Sequence, residues 1–229
     1  MNEHLKKVED LLKVTKLHEE SGSIIYSGNS TLKKGKHYFL GTNPGGNKLD
    51  YKDTILNQLR LSGEKNEYLE GNWGNPQHQN NIIQLFNSLE IDLKKTFSTN
   101  TCFIRSPGET AYSRDLKKDA EITFWPIQEY FLSIVKPKFI IANGSKARDL
   151  FWKKIFKNNF ADNKVETDNK FKYKNSANKS CYLFYGDLDL KSGSLKNVTV
   201  LAMPHLSWKD IPFHKQGISW MTEKYKGIK

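Results

Sequence analysis

The sequence predicts an α/β fold: a three-layer α/β/α arrangement around a central four-stranded, mostly parallel sheet, in one domain over residues 1–229. Three observations point there. Four short apolar runs, residues 36–40, 97–104, 138–142 and 198–202, alternate with stretches of helical periodicity. Short apolar strands separated by helices argue for a mostly parallel sheet covered on both faces. Each run ends in a polar or Gly-rich loop: 41–46, 105–110, 143–146 and 204–210. Right-handed crossovers would gather all four loops at one edge of the sheet, where open α/β sheets bind ligands.

The elements follow in order. Residues 1–35 form a lead-in. Within it, 5–16 are helical, with Leu5, Val8, Leu11, Leu12 and Leu17 on one face, and 23–26 form a short strand or hairpin. Strand 36–40 comes next, then a short helix at 53–61. Residues 64–79 are polar and Gly/Asn-rich and read as a long loop or lid carrying Tyr68, Trp73, Pro76 and His78. An amphipathic helix at 80–89 presents Ile82, Ile83, Leu85, Phe86 and Leu89. Strand 97–104, helix 122–134, strand 138–142 and helix 145–156 complete the middle of the chain. Residues 158–179 are charged and weakly apolar, an exposed insertion. An extra strand at 181–185 and a turn-rich connection at 187–195 lead to strand 198–202. A helix from about Gly217 closes the chain.

A length of 229 residues suits one domain with a substantial core. No apolar run reaches the length of a membrane span, and the first residues mix charges without an apolar signal core. The expectation is a cytoplasmic monomer with no membrane partner. Cys102 and Cys181 lie in apolar runs and are too few for a disulfide framework or an iron–sulfur cluster. The six histidines show no metal-ligand spacing, so no metal and no cofactor are expected. A formal net charge of +11 favours a polyanionic partner, although the lysines are spread and also serve solubility. A Mg²⁺-dependent nucleotide hydrolase is disfavoured, because there is no P-loop and Asp50, Asp53 and Asp187 do not cluster.

Chemistry concentrates in the loops. The first, Gly41-Thr42-Asn43-Pro44-Gly45-Gly46, breaks an apolar strand with bare backbone and one amide. Pro44 fixes φ, and Gly45 and Gly46 allow close approach. The same dipeptides also make an ordinary strand-ending turn. The later loops carry Asn100 within Thr99-Asn100-Thr101, then Asn143-Gly144-Ser145-Lys146, then Met203-Pro204-His205-Leu206-Ser207-Trp208.

This succession resembles the uracil-DNA glycosylase superfamily, nearest the mismatch-specific and single-strand-selective branches, whose first motif is Gly-x-Asn-Pro-Gly. The resemblance spans about residues 36–210. It implies that Asn43 holds the attacking water, within a pocket built from Gly41, Thr42, Pro44 and Gly45. It implies that His205 donates a hydrogen bond to uracil O2 as charge develops there, and that Asn100 reads the base through N3–H and O4. Ser207, Gly144, Ser145 and Lys146 would hold DNA phosphates, and Trp208 or Lys209 would wedge into the vacated stack. The stacking aromatic is one of Tyr51, Trp73 and Phe86. Each residue also has a plain structural reading: His205 as a helix cap or core histidine, Asn100 as a strand-end amide, Ser207 as an N-cap, Trp208 as core and Lys146 as a solvated helix residue.

Leu206 replaces the Pro of the family's His-Pro-Ser, residues 47–79 match no branch, and the cysteines of the iron–sulfur branches are absent. The implied activity is monofunctional removal of uracil, or of a related deaminated or mismatched base, from flipped-out DNA. The alternative is a non-catalytic protein with the same pocket, sensing modified bases or nucleotides in a defence role.

Overall fold

The structure is a computed structural model. It describes residues 3–46, 53–71, 76–106, 122–156, 170–174, 180–207 and 211–229. Its elements are α1 (Glu3–Val14), β1 (His37–Gly41), α2 (Ile55–Leu61), α3 (Glu67–Glu70), α4 (Pro76–Ser88), β2 (Phe97–Asn100), α5 (Trp125–Val135), β3 (Phe139–Asn143), α6 (Ser145–Phe156), β4 (Lys170–Lys174), β5 (Ser180–Leu190), β6 (Gly193–Met203) and α7 (Ile211–Ile228). The fold is mixed α/β, with a six-stranded, mostly parallel sheet in the order β2-β1-β3-β6-β5-β4.

Strands β2, β1, β3 and β6 run parallel, β5 runs antiparallel to β6, and β4 pairs antiparallel with β5 and so runs in the direction of the parallel set. The sheet thus has six strands, not four. Two expectations fail for the same reason. Residues 187–195 form the tip of a long β5–β6 hairpin rather than a turn-rich connection, with Leu190 paired to Gly193. Leu188 and Leu190 face the core in alternation with Asp187 and Asp189, a period-two signal masked by its charges. The expected insertion at 158–179 contributes β4, while 157–169 and 175–179 lie outside the described residues.

Both sheet faces are buried, and successive strand residues alternate between two cores. Tyr38, Leu40, Ile140, Ala142, Val200 and Ala202 join one core with α1, α2, α5 and α6. Phe39, Phe139, Ile141, Leu201 and Met203 join the other with α3, α4 and α7. That double burial explains the apolar runs of β1, β3 and β6. β2, Phe97-Ser98-Thr99-Asn100, is equally buried but polar, with the Ser98 and Thr99 hydroxyls donating to Thr96 O and Ile24 O. Local signals set the helix ends: Thr54 Oγ1 accepts from Asn57 N–H at the start of α2, Pro126 sits in the first turn of α5, and Lys136 closes that helix at φ 49°.

Four readings differ from the structure. β2 ends at Asn100, because residues 101–106 leave the sheet to line the loop after β1. Residues 23–26 form no strand; Ile25 and Gly22 make single antiparallel bridges to Thr99 and Ile104. The 64–79 segment holds α3 and the first turn of α4 rather than one loop, and α7 starts at Ile211 rather than Gly217.

Candidate functional site

The parallel register brings the predicted loops to one edge. Gly41 is the Cα partner of Asn100, Leu40 of Ala142, and Asn143 of Met203. The ends of β2, β1, β3 and β6 therefore lie side by side, carrying Asn100, the 41–46 loop, Asn143 and His205.

The first loop is stitched to residues 101–106. Thr101 N–H donates to Gly41 O and Cys102 N–H to Thr42 O, both at 2.9 Å, and Ser106 N–H donates to Pro44 O at 3.0 Å. Arg105 Nη1 donates to Gly45 O at 2.6 Å. Among the described residues Asn43 is held from one end only. Its Nδ2 donates to Pro44 O (2.8 Å), Ser106 Oγ (2.9 Å) and Ser106 O (3.3 Å). With the nitrogen spent, Oδ1 is the end left to accept, which suits holding a donor such as water. Gly41 is glycine for a steric reason: a Cβ there would overlap Asn100 Oδ1.

Asn100 is buried at the end of β2. Its Nδ2 lies beside the Tyr26 hydroxyl and completes no hydrogen bond among the described residues. A buried amide donor without a partner costs roughly 1–3 kcal/mol, and a ligand carbonyl would satisfy it.

Asn143 is the hub that sequence reasoning passed over. It is 1% exposed. Its Oδ1 accepts from Leu206 N–H at 2.9 Å, its Nδ2 donates to His78 Nε2 at 3.2 Å, and its backbone O accepts from Thr42 Oγ1 at 3.2 Å. One residue thereby ties together the first loop, α4 and the last loop. Its signal in the sequence is a polar residue ending an otherwise apolar strand. Gly144 follows at φ 109°, a conformation that requires glycine, and opens α6 with Ser145 and Lys146 partly exposed in its first turn.

His205 Nδ1 lies 2.6 Å from Ser207 Oγ and 3.4 Å from Ser207 N. A backbone N–H can only donate, so Nδ1 accepts and Nε2 carries the proton. Desolvation and the nearby His214 pull the His205 pKa down to about 4. The ring is neutral at pH 7 and presents Nε2–H as a donor. His78 packs against it, with ring centroids 4.6 Å apart. Burial, then His205 and His214, hold the His78 pKa at about 3. Asn81 Nδ2 donates to Leu206 O at 2.7 Å and lies 3.2 Å from His214 Nδ1, fixing the last loop from α4 and α7. His78, Asn81 and His214 join the site from the expected lid, from the helix expected at 80–89 and from residues ahead of the helix expected at Gly217.

Two expected roles meet structural obstacles. Phe86 is 1% exposed and packs edge-to-face on Phe39 at 5.2 Å, a core residue rather than an open stacking ring. Ser207 engages His205 instead of capping a helix, since α7 begins only at Ile211. Tyr51, Trp73, Trp208 and Lys209 lie outside the described residues. Among the described residues no group of three His, Cys, Asp or Glu can hold a metal, and no helix is long and apolar enough to cross a membrane. A groove between α4 and α7, lined by Gln84, Asn87, Lys215 and Ser219, contains none of the constellation.

No protein-family model matches the sequence, and no curated protein matches it.

Proposed function

We propose that this protein is a monofunctional DNA glycosylase with a uracil-DNA glycosylase-like α/β/α fold, removing uracil or a related deaminated base from flipped-out DNA. One observation carries the reading: a neutral His205 with an Nε2–H donor shares a sheet edge with Asn43 and with the unsatisfied Asn100 amide.

In this reading Asn100 Nδ2 donates to uracil O4, and its Oδ1 accepts from N3–H. Cytosine presents the reverse pattern and is rejected. The N1–C1′ bond breaks with its electron pair leaving on the base. His205 Nε2–H hydrogen-bonds O2 as negative charge accumulates there, and it acts as a neutral donor throughout. Asn43 Oδ1 orients water toward C1′. The water oxygen bonds to C1′ and its proton passes to solvent, because an amide cannot take it. Catalysis then rests on positioning and electrostatics. Asn143 acts through others: it fixes Leu206 beside His205 and Thr42 beside Asn43.

The test is base release from oligonucleotides carrying uracil, thymine or hypoxanthine, single-stranded and opposite each base, with alkali to reveal abasic sites. The expected result is cleavage at the modified position, reduced about a hundredfold or more in His205→Ala and Asn43→Ala. Silence at enzyme excess with DNA binding intact would overturn it. That outcome would favour a non-catalytic base sensor, a reading supported by residue 43 being an amide rather than a base.

A further inference from the structure

We infer that the edge strand β4 and the start of α6 form a basic rail that tracks the nucleic-acid backbone away from the site. This rests on DNA being the substrate, as proposed above, but concerns a surface the chemistry does not use.

Lys172, Tyr182, Ala202, Ala142 and Leu40 form one row of Cα partners across β4, β5, β6, β3 and β1. β4 ends and β5 begins at the same edge as the carboxyl ends of the parallel strands. Lys174, paired with Ser180, therefore sits about level with the Thr42–Asn43 loop. Four inter-strand steps separate β1 from β4, about 19 Å at ~4.8 Å each. At ~3.4 Å of rise per nucleotide, that is roughly five to six nucleotides of one strand.

The surface is built rather than loose. Lys172 Nζ lies 5.4 Å from the Tyr182 ring centroid, and Arg148 Cζ from α6 lies 4.9 Å from the same centroid. Two cations thus converge on one ring. Arg148 is paired with the neighbouring Asp149 at 2.7 Å, whereas Lys172 and Lys174 are exposed and form no ion pair among the described residues. On the opposite face, Tyr173 donates to Gln216 Oε1 at 2.8 Å and stacks with Trp220 at 6.0 Å, fastening the strand to α7. The far tip of the β5–β6 hairpin carries Asp187 and Asp189 beside Lys191 and Lys196 and so has no net positive charge, whereas Lys172 and Lys174 of β4 sit toward the site end. Lysines on an edge strand also discourage strand-to-strand aggregation. That role needs neither convergence with Arg148 nor placement at the site.

The experiment measures binding of the full chain to an undamaged duplex of about 25 base pairs, and to one reaching only about four nucleotides from its centre, across a salt series. The Lys172→Ala/Lys174→Ala protein is compared with Lys33→Ala/Lys191→Ala, which removes the same charge from exposed positions elsewhere. A Lys172→Gln/Lys174→Gln protein controls for lost packing on Tyr182. The expected result is a slope of log K against log salt shallower by about two for both β4 variants on the long duplex only, with the control pair unchanged. Equal losses in the control pair, loss on both duplexes alike, or binding to anionic lipid vesicles but not DNA would each overturn the rail. Base release at enzyme excess is read separately. A rail variant that binds weakly but still excises, or a chain that never excises yet shows the slope change, distinguishes the two proposals.

Discussion

At the residue scale, amides rather than charges hold the candidate site together. Asn43 illustrates the cost of changing that. In Asn43→Asp a carboxylate would face Pro44 O and Ser106 O, where the amide nitrogen now donates. The variant should lose about 1–3 kcal/mol in urea unfolding at pH 7, and recover part of it on acidification as the carboxyl protonates. An unchanged midpoint would mean that the Asn43 contacts are not maintained. Asn143→Ala strands the Leu206 N–H and removes the donor to His78, so it should cost a similar amount and slow base release at least tenfold. Asn143→Asp keeps an acceptor for Leu206 but not the donor to His78, and should fall between the two. The predicted residues Asn43, Asn100 and His205 are visible in the sequence because each stands in or beside a strand-ending loop of the motif succession, whereas Asn143, which ends the most apolar strand, reads only as the start of its loop. His78, Asn81 and His214 are not, because they reach the site from helices whose local pattern reports only their own apolar faces.

At the element scale, β1, β3, β6 and the amphipathic helices are legible because burial on both sheet faces imposes apolar runs, and one-sided burial imposes helical spacing. The β5–β6 tip is not legible, since Asp187 and Asp189 turn outward beside inward Leu188 and Leu190, with Asp187 held by Lys196 at 2.7 Å. The contact between α1 and α2 is equally non-local. Glu9, buried on α1, accepts from Arg60 of α2 at 2.6 Å and pairs with Lys13 at 2.6 Å. Those hydrogen bonds draw its pKa from 4.5 down to about 2. The ionised form is favoured by folding, so this contribution is present above pH 4.5 and is lost as pH falls toward 2. Glu9→Gln should therefore be less stable than the parent at pH 7, with the gap narrowing in urea titrations near pH 3. A constant gap across that range would mean that packing, not charge, explains the loss.

At the scale of the whole molecule, three histidines are held neutral, His37 away from the site and His78 and His205 in ring contact within it. Burial with the Lys36 and Lys229 charges lowers the pKa of His37 to about 4, while desolvation dominates for His78 at about 3 and His205 at about 4. Each starts from 6.5 in the unfolded chain, so between 6.5 and about 4 the unfolded state binds more protons than the folded one. Stability should be full above pH 6.5 and fall steadily as pH drops through that window, compounded by self-repulsion in a chain already at +11. Thermal midpoints from pH 7.5 to 4.5 would measure it, and His78→Gln should flatten the profile. A flat profile for the parent would mean that the rings are solvated. Activity should not follow the same curve. Because folded His205 protonates only near pH 4, base release should hold its plateau to about pH 5, well below the 6.5 midpoint of an ordinary histidine. A decline centred at 6.5 instead would show that the working histidine titrates freely, and would remove the neutral-donor role assigned to His205.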